Sequence, residues 1–437
     1  MMKNLNQRFK LVVGVFLFLL LMLPVTDVKA ESKQWNDYEY HYAETKSGAR
    51  CVQLDKYNGK DVRVDIPKEI DGYKVMTTPK EYAHPEEIKS IGIPQYVRYI
   101  DLGIFKIDPD TQLNRSALVN LEEITVDPKN KYFKSIDGVL FSTYGHFIGD
   151  LLYYPDQKRD KTYRVPTIAP KSGTPKSIHY IYNKHLEHLI FGKDYWSMNI
   201  PLLNVKTLTA DGTITLGGPI YAPNLKTVIA KEGLKRIAGF DGMKNLETVI
   251  LPDSLEYIAL DTFRGCSSLK NIKLPSSLKE IRGFAFTGCS SLKEIRIPDS
   301  VVCLDADAFY QCPAKVQKAS YLKKNKKGAS YYYAMAPVKN KGKIEEYRAS
   351  NITKIQPEDK TVTLYRKHNK KLKTVVSVKH NRKGILDPSL LTYGSNKNNV
   401  VRVTKKGTLK PVKKGKAIIT VSLRTGGLSY KVKVRVK

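Results

Sequence analysis

The chain has 437 residues, 41% of them hydrophobic and 27% charged, and carries 74 Lys and Arg against 42 Asp and Glu, a formal net charge of +32. That length exceeds what one hydrophobic core usually serves, which leaves either several folding units or a solenoid with an added domain. The charge is not shared evenly: residues 311–437 hold 33 basic and 5 acidic residues, whereas residues 1–310 hold 41 and 37. So one-sided a terminus attracts polyanions, a statement about partners and not about fold.

The first thirty residues read as a signal peptide. Lys3, Arg8 and Lys10 precede an apolar run from Leu11 to Leu23, and Val28-Lys29-Ala30 is a small-residue cleavage pattern. The run is short of the ~20 apolar residues a membrane span needs. No later segment approaches a span, and Leu428 to Lys437 alternates apolar residues with Lys and Arg, giving neither a hydrophobic tail nor a sorting motif. The expectation is a secreted or cell-surface protein with no membrane insertion after cleavage.

From Trp35 to Val75 the pattern predicts an N-terminal cap, with a strand at Val62-Arg63-Val64-Asp65-Ile66-Pro67. Ile88, Ile91, Ile93-Pro94, Val97, Ile100 and Phe105 then form one loose repeat, and Leu121, Ile124 and Val126 open another. Between Lys131 and Arg164 the Asp137-Gly138 pair predicts a hairpin turn. Leu186, Leu189 and Phe191, then Val205, Leu208 and Ala210, then Leu225, Val228 and Ala230 mark further strand starts.

The repeat becomes strict from Leu246 to Cys312. Three 23-residue units align without gaps through Leu246, Leu269 and Leu292, through Pro252, Pro275 and Pro298, through Phe263, Phe286 and Phe309, and close on Cys266, Cys289 and Cys312. Each Ile-x-Leu, such as Ile272-Lys273-Leu274, is a short strand with its apolar side inward, and the proline ends it because it cannot donate to a ladder. One unit cannot bury both of its apolar lines, so the coils must stack. The cysteine spacing is a structural period, which predicts a buried column of reduced thiols and not a disulfide framework. Cys51 and Cys303 lie near opposite ends of the array, farther apart than the Cα separation of ~7 Å or less that a bridge requires.

These units resemble the BspA-type leucine-rich repeats of bacterial surface proteins, and the opening Tyr57-Asn-Gly followed by Val64-Asp-Ile-Pro67 is similar to how such arrays begin. The resemblance covers roughly residues 38–312. It implies a surface protein acting in adhesion or ligand capture, with no catalytic residues to carry over.

Beyond Cys312 the composition turns to Lys, Asn, Gly and Tyr, and residues 321–350 read as a basic linker or C-terminal cap. After Asn351 short β-branched runs alternate with Gly, Asn and Pro turns, the spacing of a sandwich. Tyr393-Gly-Ser-Asn396, Lys406-Gly-Thr-Leu409 and the run Val412 to Val421 are similar to the bacterial Ig-like group 2 domain, with Tyr393 where Trp is commoner. The expected fold class is therefore mainly β: a leucine-rich-repeat solenoid over residues 31–320, then a small β-sandwich, bacterial Ig-like domain over 351–437.

No Gly-x-Ser-x-Gly elbow, phosphate-cradling loop or His-Glu-x-x-His pair occurs, so no enzyme, metal or cofactor is expected. His185, Glu187 and His188 interleave with core leucines, and Asp253, Asp299, Asp305 and Asp307 sit at turn positions, so both sets read as structural. The candidate ligand face is the set of side chains between core positions: Ile250, Asn271, Lys273, Glu294 and Arg296. Its mixed charge favours an extracellular protein ligand over a polyanion, with a glycan also open. Lys323, Lys324, Lys326, Lys327, Lys413, Lys414 and Lys416 are the candidate polyanion contacts. An anionic cell-wall polymer of a Gram-positive bacterium suits them; nucleic acid is less favoured but fits the same electrostatics. Three readings stay open: a surface adhesin held at the envelope by its basic domain, a structural envelope spacer, and a secreted polyanion-binding protein.

Overall fold

The structure is a computed structural model that describes residues 31–101, 106–107, 114–144, 148–166, 176–192, 195–197, 202–210, 221–318, 322–324, 331–340, 343–348, 352–378, 382–425 and 427–437. The signal-peptide reading of residues 1–30, Phe105, Lys326 and Lys327 fall outside these residues. Regular structure is almost entirely β, and no helix among the described residues is long and apolar enough to cross a membrane. The chain divides into two compact units, one running to Asp160 with Ile168–His185 added, the other made of Lys161–Thr167 and Leu186–Lys437.

The first unit opens with an antiparallel sheet of Lys33–Trp35, Tyr38–Glu44 and Arg50–Tyr57, to which Glu81–Tyr82 adds in parallel. Repeats begin at once behind it. Arg63–Asp65, Ser90–Ile93 and Glu123–Val126 form a parallel sheet whose Val64, Ile91 and Ile124 are paired and fully buried. Asp137 (φ 51°) and Gly138 (φ 75°) both lie in the left-handed region that a two-residue hairpin turn demands, joining Phe133–Ile136 to Val139–Ser142.

In the second unit the coils that open at Thr227, Thr248 and Asn271 each contribute two strands to two different parallel sheets, whereas the coils before them add to the first sheet alone. Thr162–Arg164, His188–Phe191, Thr207–Ala210, Thr227–Ala230, Thr248–Ile250 and Asn271–Ile272 make the first sheet. The second begins with Arg236–Ile237, Tyr257–Ile258, Glu280–Ile281 and Cys303–Asp305. Between them the columns predicted from the repeat are buried: Leu246, Leu269 and Leu292, then Leu255, Leu278 and Val301, then Ile258, Ile281 and Leu304. On the third side Phe240, Phe263, Phe286 and Phe309 stack with centroid separations of 5.9, 5.5 and 5.1 Å. The strict core columns reach one coil further back than Leu246, since Leu225, Leu234, Ile237 and Phe240 are buried in the same order.

Polar side chains stitch neighbouring coils. Ser254, Ser277 and Ser300 donate from Oγ to the carbonyls of Leu234, Leu255 and Leu278 at 3.0, 2.5 and 2.6 Å. Cys266 and Cys289 donate from Sγ to Phe240 and Phe263 carbonyls, each at 3.1 Å. Upstream, Asn224 and Asn245 bridge coils instead, donating from Nδ2 to the carbonyls of Leu203 and Pro223 at 2.8 Å. All five cysteines are free, and burial is the main cause that raises the thiol pKa values of Cys266 and Cys289, the latter to about 12.

The second sheet does not stop at the last coil. Tyr331–Asn340 pairs antiparallel with Cys303–Asp305 and, further along, with Arg382–Leu386, which leads through Thr374–Val378 to Ile352–Pro357. The segment read from composition as linker or cap thus contains three strands, Leu322–Lys324, Tyr331–Asn340 and Lys343–Arg348, all paired. A repeat array leaves a row of open backbone groups at its end, and an antiparallel strand satisfies them. The remaining C-terminal strands give a four-stranded sheet, in the order Thr361–Leu364, Ser429–Val436, Gly415–Leu423, Leu391–Ser395, and a three-stranded one of Lys370–Lys371, Thr408–Pro411 and Val401–Val403. Val362, Val376, Leu391, Val401, Leu409, Ile419, Val432 and Val434 are buried among them, the arrangement of a small β-sandwich.

Candidate functional site

The outward face of the first sheet follows from its register. Tyr163, Leu189, Leu208, Val228, Val249 and Ile272 point inward and are buried, so the residues flanking each of them point out. One outer column runs Thr162, His188, Thr207, Thr227, Thr248, Asn271. The next runs Arg164, Ile190, Thr209, Ile229, Ile250, in which Thr209 is covered and buried. Parallel strands lie about 4.8 Å apart, so hydroxyls and aliphatic groups repeat at that interval over several coils.

All five residues named from sequence are exposed, Ile250 at 51%. The structure brings Ile250 and Asn271 onto one sheet, with Lys273 just past its last strand. Glu294 and Arg296 lie on the following strand, which pairs with Lys315–Gln317; Gln317 Nε2 donates to Glu294 Oε2 at 3.4 Å. The sequence reading missed the upstream half of the face. Its signal was the phrase Thr-x-Thr or Thr-x-Ile at 207–209, 227–229 and 248–250, which the irregular coil lengths obscured.

Of the acidic residues read as structural, Asp305 lies in the buried Cys303–Asp305 strand and not at a turn, and two others have charged partners. Glu187 accepts from Lys206 Nζ at 2.8 Å, a hydrogen bond that lowers its pKa, and Asp299 pairs with Arg424 at 2.8 Å. Among the described residues no group of three or more His, Cys, Asp and Glu is placed to hold a metal ion.

The basic candidates separate. Lys323 and Lys324 belong to the Leu322–Lys324 strand, and Lys413 and Lys414 occupy the exposed turn before Gly415–Leu423. Lys416 lies within that strand and lines a groove of about 420 Å³ together with Lys397, Lys433, Arg435, Asn396 and Thr361. The register sets Lys416 opposite Arg435 and Thr361 beside Lys433. The sequence signal for this cluster was Lys431-Val-Lys-Val-Arg-Val436, in which period-two alternation puts three cations on one face.

Stacked coils of parallel strands with leucine columns, a phenylalanine stack and one strand-lined outer face define a leucine-rich-repeat solenoid. Residues 221–336 match the family model described as a BspA type leucine rich repeat region, in six copies. Residues 221–336 are accordingly a BspA-type leucine-rich-repeat region. No curated protein matches the chain.

Solved structures similar to it include a leucine-rich repeat protein from Eubacterium ventriosum, 16% identical over 69% of this chain and 99% of that one, with a TM-score of 0.39. A leucine rich cell surface protein from Faecalibacterium prausnitzii is 14% identical over 68% and 96%, with a TM-score of 0.27. A leucine-rich repeat protein from Bacteroides ovatus is 16% identical over 65% and 99%, with a TM-score of 0.21.

Proposed function

We propose that the chain is a secreted or cell-surface bacterial protein whose repeat face captures an extracellular protein or glycan ligand in adhesion, while its basic C-terminal domain holds it at the envelope. The observation that carries the reading is the outer face of the first sheet: Thr207, Thr227 and Thr248 in register beside Ile229 and Ile250, ending in Asn271 and Lys273. Aliphatic surface flanked by hydroxyls and mixed charge suits a folded protein surface better than a polyanion. The wall of a Gram-positive cell is the envelope such a basic domain fits, and the sandwich arrangement supports the bacterial Ig-like reading of residues 351–437.

The test is a screen of the whole secreted chain against extracellular proteins and glycans, repeated with Ile250→Glu and Thr227→Lys together. A ligand bound by the parent and lost by the face variant, with thermal stability unchanged, supports capture. If every ligand is retained by the face variant, the array is a spacer.

A further inference from the structure

The outer face of the four-stranded C-terminal sheet carries cations and no counter-charge. Val432, Val434 and Val436 of the Ser429–Val436 strand are buried, so Lys431, Lys433 and Arg435 stand on the opposite, exposed face. Residues two apart on a strand are about 7 Å apart, which makes these three an evenly spaced row. Lys416 faces Arg435 on the neighbouring strand, and Lys397 enters the same groove from the chain just after Leu391–Ser395. Among the described residues none of these five cations makes an ion pair, and no carboxylate lines the groove.

Two further features favour a ligand of a particular kind. Asn396 accepts the Ile418 amide at 2.7 Å through Oδ1, which fixes its side chain and leaves the Nδ2 donors open, and Thr361 adds a hydroxyl across the sheet. These are donors for phosphate oxygens. The groove has no aromatic side chain in its lining, and so no platform on which a nucleobase could stack.

We infer that this groove is a binding track for a linear, base-free phosphodiester polymer of the polyol phosphate type, its successive phosphates meeting Arg435 and Lys433 in the groove and Lys431 just beyond its lining, while Lys416, Lys397 and the Asn396 amide grip from the side. An extended phosphodiester chain repeats its charge at about the spacing of alternate strand residues. This rests on the retention half of the proposed function and names its site and its ligand.

The test measures binding of fluorescent poly(glycerol phosphate) to the full secreted chain across a salt series, for the parent, for Lys433→Gln with Arg435→Gln, and for Lys405→Gln with Lys406→Gln. The last pair removes the same charge from an exposed turn outside the groove. The groove pair is expected to weaken binding at least about tenfold and to flatten the slope of log affinity against log salt by roughly 1.4, with the turn pair within about threefold of the parent. Matched melting temperatures for the two variants establish that the fold is intact. Equal losses in both variants, tighter binding of a single-stranded oligonucleotide, or no polymer binding by the parent overturns the track. Retention on isolated walls is scored separately: a retained groove variant sinks the track and leaves envelope retention standing. A parent that binds polymer but not walls does the reverse.

Discussion

At the residue scale the repeat imposes backbone and burial demands that single positions meet unequally. Gly242, Gly265 and Gly288 recur at 23-residue intervals with φ of 75°, 72° and 71°, and the next coil puts Gln311 there at 53°. A side chain in the left-handed region is strained by about 1 kcal/mol, so Gln311→Gly is expected to raise the unfolding free energy by roughly 0.5–1 kcal/mol in chemical denaturation. Cys289 offers a pH test. Burial raises its folded pKa to about 12, above the ordinary 9.0, so the fold favours the protonated thiol. Its contribution is complete below pH 9 and is lost as pH climbs toward 12. Cys289→Ala should therefore show a shallower alkaline loss of stability than the parent, and native Cys289 should resist alkylation at pH 8 until the array is unfolded.

At the element scale, stability belongs to the contacts between coils. Phe286 is fully buried and stacks on Phe263 below and Phe309 above. Phe286→Ala opens a cavity in the middle of that stack and is expected to cost about 3–5 kcal/mol, read as a lower melting temperature with protection lost first in the Tyr257–Ile258 and Glu280–Ile281 strands. The leucine, proline and phenylalanine columns were legible because each recurs at a fixed interval. The serine column was not singled out, although Ser254, Ser277 and Ser300 stand immediately before Leu255, Leu278 and Val301. A hydroxyl beside a turn reads as solvent-facing until the coil below presents its carbonyl.

At the scale of the second unit, the sheet that crosses from array to C-terminal domain sets the mechanics. Tyr331–Asn340 bonds to Cys303–Asp305 and to Arg382–Leu386, while Arg424 reaches Asp299 and Lys279 Nζ donates to the Thr425 carbonyl at 3.2 Å. A flexible linker would let the two parts unfold separately. The shared sheet predicts that they open together: in native-state hydrogen exchange, amides of Cys303–Asp305 and of Arg382–Leu386 should show the same opening free energy and the same denaturant dependence. Markedly easier opening of the C-terminal strands would show that the coupling is weak.

Sequence alone determined the solenoid, its period, the inward columns and the unpaired thiols of the repeat, because stacking repeats one environment every 23 residues and only a narrow set of side chains fills it. It also placed the charge asymmetry and read residues beyond Asn351 as short strands between turns. It did not locate the basic groove, naming Lys416 and omitting Lys397, Lys433 and Arg435, because those four come from three segments that only strand pairing sets side by side. Nor could lysine-rich composition reveal that residues 331–340 form a strand that carries the second sheet past the array, since that strand exists through partners nearly thirty residues before it and nearly fifty after. Periodic contacts are written along the chain, whereas contacts between segments of different character are decided by tertiary structure.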